Sequence, residues 1–277
     1  MRRISFTKGH GTLNDFVLVL DRHNAISLEP HDVARLCDRR AGIGADGVLR
    51  VVRAKHIPEW DGDPDLWFMD YRNADGSVAQ MCGNGIRVLA AFLLSEDLVP
   101  GPEMTIATRA GAKRAVVGRH GVVTTEIGRV EVSGQVTIDL DGRSWSATRV
   151  DLGNPHAVVM LESGESLDEL DLSHQPTWTP TSAFPEGVNV EFAQTEAPGS
   201  LRMRVHERGA GETLSCGTGA VAVAAAHAAA HAVPESHVEV HLPGGRLVVE
   251  LHEESARLTG PTELVANGEF WLDEDQP

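Results

Sequence analysis

The chain has 277 residues, enough for two domains or one large one. Hydrophobic residues make up 42% and charged residues 23%, which is the composition of a globular fold and argues against a disordered chain or a fibre. Lys and Arg total 24 against 40 Asp and Glu, a formal charge of -16, and no basic run exceeds Arg39-Arg40, so nucleic acid is not an expected partner.

Read in chain order, Arg2 and Arg3 lead into SFTKGHGTLND, too polar for a signal-peptide core, and no later run reaches transmembrane length. A cytoplasmic protein without membrane contact is the expectation. Three cysteines are too few and too odd for a disulfide framework, so each thiol is read as reduced. Asn14 precedes a strand-like DFVLVL, and the amphipathic DVARLCDR follows, where Cys37 reads as a small buried hydrophobe without a role. Gly47 opens the strand GVLRVV. The phrase ADGSVAQMCGNG then brings Cys82 to the start of an apolar helix, GIRVLAAFLLSE. Short β-branched runs follow, among them KRAVVG, GVVTTEI and GQVTIDL, with a domain junction expected near residues 126 to 130.

The second half repeats the first. Asn154 precedes HAVVML as Asn14 precedes DFVLVL, Gly187 opens GVNVEF as Gly47 opens GVLRVV, and AGETLSCGTG carries Cys216 where the earlier phrase carries Cys82. An apolar helix again follows, GAVAVAAAHAAAHAV, with Pro234 as its stop, and then the strands RLVVEL and ARLTG. The order and near-constant spacing of these phrases read as an internal duplication. Both helices are apolar almost all round, so each is expected to be enclosed rather than surface-lying. The fold class is therefore α/β (α+β): two pseudo-symmetric domains, each a curved, mostly antiparallel sheet wrapped around a central helix. The first domain is expected over 1–127 with the tail 265–277 returning to it, and the second over 128–264. Between about 163 and 187 the Pro- and Thr-rich SHQPTWTPTSAFPEG predicts a long loop, placed to close over a site.

Cys82 and Cys216 each stand where a glycine-rich turn enters a helix. The unpaired N–H groups and positive dipole end there lower a thiol pKa from about 8.5 and attract an anion. The amides of Gly83, Asn84, Gly217 and Thr218 are the natural donors to a substrate carboxylate. If both helices point at one cleft, a carbon between the thiols loses a proton to a thiolate on one face and gains one from a thiol on the other, which inverts its configuration. Bringing each sulfur within reach of the carbon sets the pair about 7 Å apart in a closed complex. One thiol must be ionised while the other is protonated, so each needs a neighbour that adjusts it. His156, in GNPHAVV, and Glu207, at the end of RMRVHE, are the candidates, with His156 assigned to Cys82 and Glu207 to Cys216.

The phrases HGTLNDF, RRAGIGADG, NADGSVAQMCGNGIR, GNPHAVV, GVNVEF and HERGAGETLSCGTGA together resemble the diaminopimelate epimerase family over roughly residues 6 to 265. The resemblance implies a pyridoxal-free, two-base epimerase that interconverts LL- and meso-diaminopimelate in lysine and peptidoglycan synthesis. It further implies no cofactor, no metal and a homodimer. Carried over residue by residue, it makes Cys82 and Cys216 the bases, gives His156 and Glu207 the pKa-tuning role, and makes Asn14, Asn73, Asn154, Asn189 and Arg208 substrate ligands beside Glu207. Arg208 would clamp the distal carboxylate and the asparagines would fix the amine. Two departures stand out. The family often has glutamine where Gly47 stands, and the glycine-asparagine of its first motif is Leu13-Asn14 here. Thr218 stands where serine is common, which matters little for a backbone donor.

His227 and His231 have the i, i+4 spacing of two zinc ligands but lack a third, so a metal is not expected. The rival readings are a two-cysteine racemase acting on proline or hydroxyproline, and a non-catalytic amino-acid binder or thiol redox sensor.

Overall fold

The computed structural model describes residues 2–232, 236–253 and 255–272. It divides into two compact units, the first Met1–Thr125 with Pro261–Pro277 and the second Glu126–Gly260. Pro234, read above as the stop of the second helix, lies outside the described residues, as does the tail beyond Leu272.

In chain order the first unit contains β1 (Arg2–Gly11), β2 (Asn14–Leu20), α1 (Pro30–Cys37), β3 (Gly47–Arg53), β4 (Trp67–Asn73), α2 (Gly83–Ser95), β5 (Glu103–Thr108), β6 (Gly111–Val117) and β7 (Val122–Gly128), which runs across its boundary. The second contains β8 (Glu131–Leu140), β9 (Arg143–Asp151), β10 (Pro155–Met160), β11 (Thr177–Thr179), β12 (Asn189–Ala197), β13 (Ser200–Glu207), β14 (Gly211–Thr213), α3 (Gly217–Ala230), β15 (Ser236–Leu242), β16 (Gly245–Leu251) and β17 (Ala256–Pro261). The last strand, β18 (Glu263–Leu272), belongs to the first unit and pairs antiparallel with β1.

The strand pairings repeat in sense and order. In the first unit, β1 pairs antiparallel with β2, β2 parallel with β3, β3 antiparallel with β4, β4 parallel with β5, and β5 antiparallel with β6. In the second, β9 pairs antiparallel with β10, β10 parallel with β12, β12 antiparallel with β13, β13 parallel with β15, and β15 antiparallel with β16. Parallel neighbours need a long crossover, and the crossovers β4 to β5 and β13 to β15 are α2 and α3. The fold is thus a pseudo-symmetric α+β pair in which each mostly antiparallel sheet wraps one helix.

Both helices are enclosed, as their apolar composition requires. In α2, Gly83 through Ala90, Phe92 and Leu93 are buried, against a core of Phe16, Leu18, Leu49, Met69 and Ile106. In α3, Gly217 through Ala226 and Ala228 are buried. Its alanines combine the highest helix propensity with side chains small enough for close strand approach.

Two sequence expectations change. Register pairs Phe16 with Gly47 and Gly47 with Asn73, while His156 pairs with Asn189, and Val190 with His206. The counterpart of Gly47 is therefore Asn189, two residues beyond the Gly187 that the phrases suggested. The segment from 163 to 187 is not a free loop. It is the crossover that the parallel pair β10 and β12 demands, and Leu167, Leu170, Leu172 and Phe184 fasten it into the core while β11 pairs with β8. The corresponding crossover in the first unit carries α1, whose Val33, Leu36 and Cys37 are buried beside Leu28 and Val48. Burial pushes the Cys37 thiol up to about 12, consistent with a packing role.

Candidate active site

Each catalytic candidate thiol is the N-cap of its helix. Cys82 and Cys216 hold extended backbone, and their sulfurs accept the N–H of Gly85 and Gly219, each at 3.4 Å. The N-cap geometry is ordinarily filled by Ser, Thr, Asp or Asn, because a side-chain acceptor must reach the third amide of the helix. A cysteine there spends that acceptor on sulfur, which favours an anionic thiolate by the same contact.

In the first unit, Asn14 is the hub. Its Oδ1 accepts from the Cys82 thiol at 3.7 Å and from Asn84 Nδ2 at 3.2 Å, and its own Nδ2 donates to Asp46 at 2.7 Å. The turn that delivers Asn14 requires left-handed backbone at Thr12 (φ 51°) and Leu13 (φ 62°). Leu13 thus adopts a conformation that glycine holds at no cost. Below the hub lies Arg87, fully buried, donating to Asn84 Oδ1 at 2.5 Å and to the Pro261 carbonyl at 2.8 Å. Burial brings its guanidinium down to about 10, while the nearby Cys82 favours its charged form. Gly83 and Asn84 are buried in the first turn of α2. Asn73 is held by its own turn, its Nδ2 donating to Ser77 Oγ at 2.9 Å.

In the second unit the neighbours of Cys216 are acidic. The thiol is a hydrogen-bonding neighbour of Glu207, whose Oε1 also accepts from Thr213. Thr218 Oγ1 lies 3.5 Å from the sulfur and accepts from Asn154 Nδ2 at 3.4 Å. Asn189 accepts from the Arg208 amide at 2.9 Å and donates to the Pro155 carbonyl at 3.2 Å, tying together three of the predicted motifs. Gly217 is buried in the first turn of α3. The exposed Arg208 lines a cavity of about 380 Å³ with Trp178, Val190 and His206. A larger cavity, about 530 Å³, lies at the opposite end of α3 against Ala225, Ala228 and Leu251, and none of the candidate residues line it.

The electrostatics of this half correct one expectation. A helix N-terminus was expected to lower the thiol pKa, but Cys216 is pushed well above its ordinary value, chiefly by burial and then by the Glu207 and Glu191 carboxylates. Two buried anions and the loss of water outweigh one N-cap contact. Glu207 is itself raised, first by burial, against the hydrogen bonds from Thr213 and Cys216. Within the second unit, His156 adjoins Glu191 rather than standing alone, with Nδ1 2.6 Å from Glu191 Oε1 and both side chains at 0% exposure. Sequence reasoning missed both Glu191 and Arg87. Each was visible as one charge inside an apolar stretch, NVEFA and GIRVLAAFLL, where a core strand or enclosed helix has no other reason to carry one.

The diaminopimelate epimerase profile matches residues 6–133 and 148–265. The diaminopimelate epimerase of Streptomyces coelicolor is 48% identical, over 98% of this chain and 98% of that protein. That of Thermobifida fusca is 46% identical, over 96% and 98%. The chain belongs to the diaminopimelate epimerase family. Solved structures extend the likeness at the level of fold. A hydroxyproline epimerase from Agrobacterium vitis superposes with a TM-score of 0.70 at 15% identity, covering 99% of this chain and 94% of that one. A Bacillus anthracis phenazine biosynthesis protein of the PhzF family reaches 0.71 at 16%, covering 98% and 100%. Against the family pattern, Gly47 is now explained by space: a Cβ there would lie 2.6 Å from Tyr71 Cε2 and 2.5 Å from the Arg72 carbonyl. The Tyr71 ring fills the volume that a glutamine would enter. The rings of His227 on α3 and His231 at its C-cap lie 4.3 Å apart, tilted by 39°, and His231 Nδ1 contacts the His227 carbonyl.

Proposed function

We propose that this chain is a diaminopimelate epimerase, interconverting the LL and meso isomers with Cys82 and Cys216 as its two bases and no cofactor. One observation carries the reading: two cysteines occupy the same N-cap position on two enclosed helices of a duplicated framework, within a chain of this family. A thiolate at one cap removes the Cα proton and a thiol at the other returns a proton to the opposite face, so no net proton is consumed. The developing negative charge is met by helix N-termini and by the amides of Gly83, Asn84, Gly217 and Thr218. Glu207, beside Cys216, takes up and returns that thiol's proton, and His156 does the same for Cys82. Asn14, Asn73, Asn154, Asn189 and Arg208 supply fixed donors and acceptors for a substrate with an amino and a carboxylate group at each end.

The test is solvent exchange. Wild-type protein incubated with LL-diaminopimelate in deuterated water incorporates deuterium at Cα and accumulates the meso isomer. Cys82→Ser and Cys216→Ser each lose about 10²- to 10⁴-fold in epimerisation. Absence of exchange by the wild type refutes the enzyme, and turnover confined to proline or hydroxyproline refutes the substrate. Three free thiols suit a reducing cytoplasm. No helix among the described residues is long and apolar enough to cross a membrane. A homodimer belongs to the same reading, and light scattering on the purified protein checks it.

A further inference from the structure

The repeated framework shows where the two halves differ in chemistry. By strand register, His156 and Glu191 on β10 and β12 occupy the places that Phe16 and Leu49 hold on β2 and β3. All four side chains are fully buried or nearly so. The fold therefore accepts an apolar pair at these positions, and the second unit replaces it with two ionisable groups. A buried polar pair costs more than an apolar one unless its hydrogen bonds are complete, and this one is incomplete. His156 Nε2 and Glu191 Oε2 are buried with no hydrogen-bond partner among the described residues. Space is also reserved for the carboxylate. A Cβ on Gly219 would meet Glu191 Oε1 at 2.8 Å, whereas a Cβ on Gly85, its counterpart on α2, would make only ordinary contacts with Leu49 and Met69.

We propose that Glu191 is a positioning residue of this site: its carboxylate accepts a hydrogen bond from Nδ1–H of His156, fixes the ring, and leaves Nε2 as the atom that gains and loses a proton. This rests on the epimerase reading, which gives His156 a proton to move. When Nε2 takes a proton, the imidazolium is balanced by the Glu191 carboxylate, and when it gives the proton up the neutral tautomer returns to the same orientation. The ionisable groups facing Glu191 are His156 from β10, Glu207 from β13 and Cys216 at the start of α3, and β9 presents Val150 opposite His156. Burial raises the Glu191 carboxyl, and the charge of His156 and its hydrogen bond oppose that rise.

Two measurements test the proposal. In ¹⁵N-histidine NMR of the wild-type protein, with His156→Gln used to assign the signal, neutral His156 carries its proton on Nδ1, and Glu191→Ala abolishes that preference. In steady-state kinetics, Glu191→Ala lowers kcat about tenfold or more with KM within about threefold, the size expected when an orienting partner is lost. Glu191→Gln still accepts from Nδ1–H but carries no charge, so it keeps the tautomer while a limb of its pH profile moves to lower pH. Wild-type kinetics and pH profiles in both variants, or an Nε2–H tautomer in the wild type, overturn the proposal. The NMR arm on the wild type needs no variant at position 191 to fold. A wild type that binds but does not epimerise diaminopimelate overturns the epimerase reading instead, and the tautomer still decides whether Glu191 fixes the ring.

Discussion

Cys82 and Cys216 are chemically alike and differently surrounded. Cys82 shares its network with asparagines and a buried arginine, while Cys216 shares its own with two carboxylates. Glu207 illustrates the cost of such a site. Its folded-state carboxyl lies above the ordinary value of 4.5, so between the two values the native state binds more protons than the unfolded one and stability falls as pH rises. Glu207→Gln cannot ionise. Its melting temperature is therefore expected to exceed that of the wild type near pH 8, the gap closing as the pH drops below the unfolded carboxyl's range, while epimerisation is lost. Melts at pH 4 and pH 8 check both the sign and the window. The cysteines, GNPH and Glu207 were legible in the sequence because each sits in a compact motif. Glu191 was not, since its meaning depends on His156, a neighbour set by parallel strand pairing.

At the scale of elements, the first turns of α2 and α3 look interchangeable in sequence and are not. Gly85→Ala meets only contacts of 3.4 Å or more and should stabilise α2 by up to about 1 kcal/mol through helix propensity. Gly219→Ala drives a methyl against Glu191 and against Cys216 Sγ at 3.3 Å, and is expected to destabilise the protein and depress turnover. Urea titration of the pair, with turnover measured alongside, separates propensity from clash. On the sheet of the first unit, Asp70 draws Arg50 and Arg109 together at 2.8 Å each, with its side chain at 1% exposure. Burial alone would raise this carboxyl, but Arg109, Arg50 and Arg72 hold it below the usual range. Asp70→Ala takes the shared carboxylate from both arginines, leaving Arg50 with Asp21 and Arg109 with Glu59, and should cost about 2–3 kcal/mol in a denaturant titration. The crossover from 163 to 187 shows the limit of composition. Its Pro and Thr content signalled a long free loop, yet Leu167, Leu172 and Phe184 anchor it because a parallel strand pair must be bridged along a packed face.

For the whole molecule, the epimerisation proposed above requires both sulfurs to reach one substrate carbon. Treatment of the ligand-free protein with diamide is therefore expected to form a Cys82–Cys216 disulfide that abolishes turnover and is reversed by dithiothreitol. Cys37, with its thiol at about 12, should stay unmodified at neutral pH. Peptide mapping identifies the bridge, and a disulfide or adduct at Cys37 instead would count against it.

The sequence by itself determined the duplication, the enclosed helices, the two N-terminal thiols and the family, because each is written in local order: repeated phrases, apolar periodicity and glycine before a helix. Tertiary structure decided the rest. That Asn189 answers Gly47, that Tyr71 occupies the space beside that glycine, and that Cys216 faces two carboxylates all follow from strand register and burial, which join residues far apart in the chain. Local pattern says which side chains are present, and only the folded pairing of strands sets the dielectric and the neighbours that fix their protons.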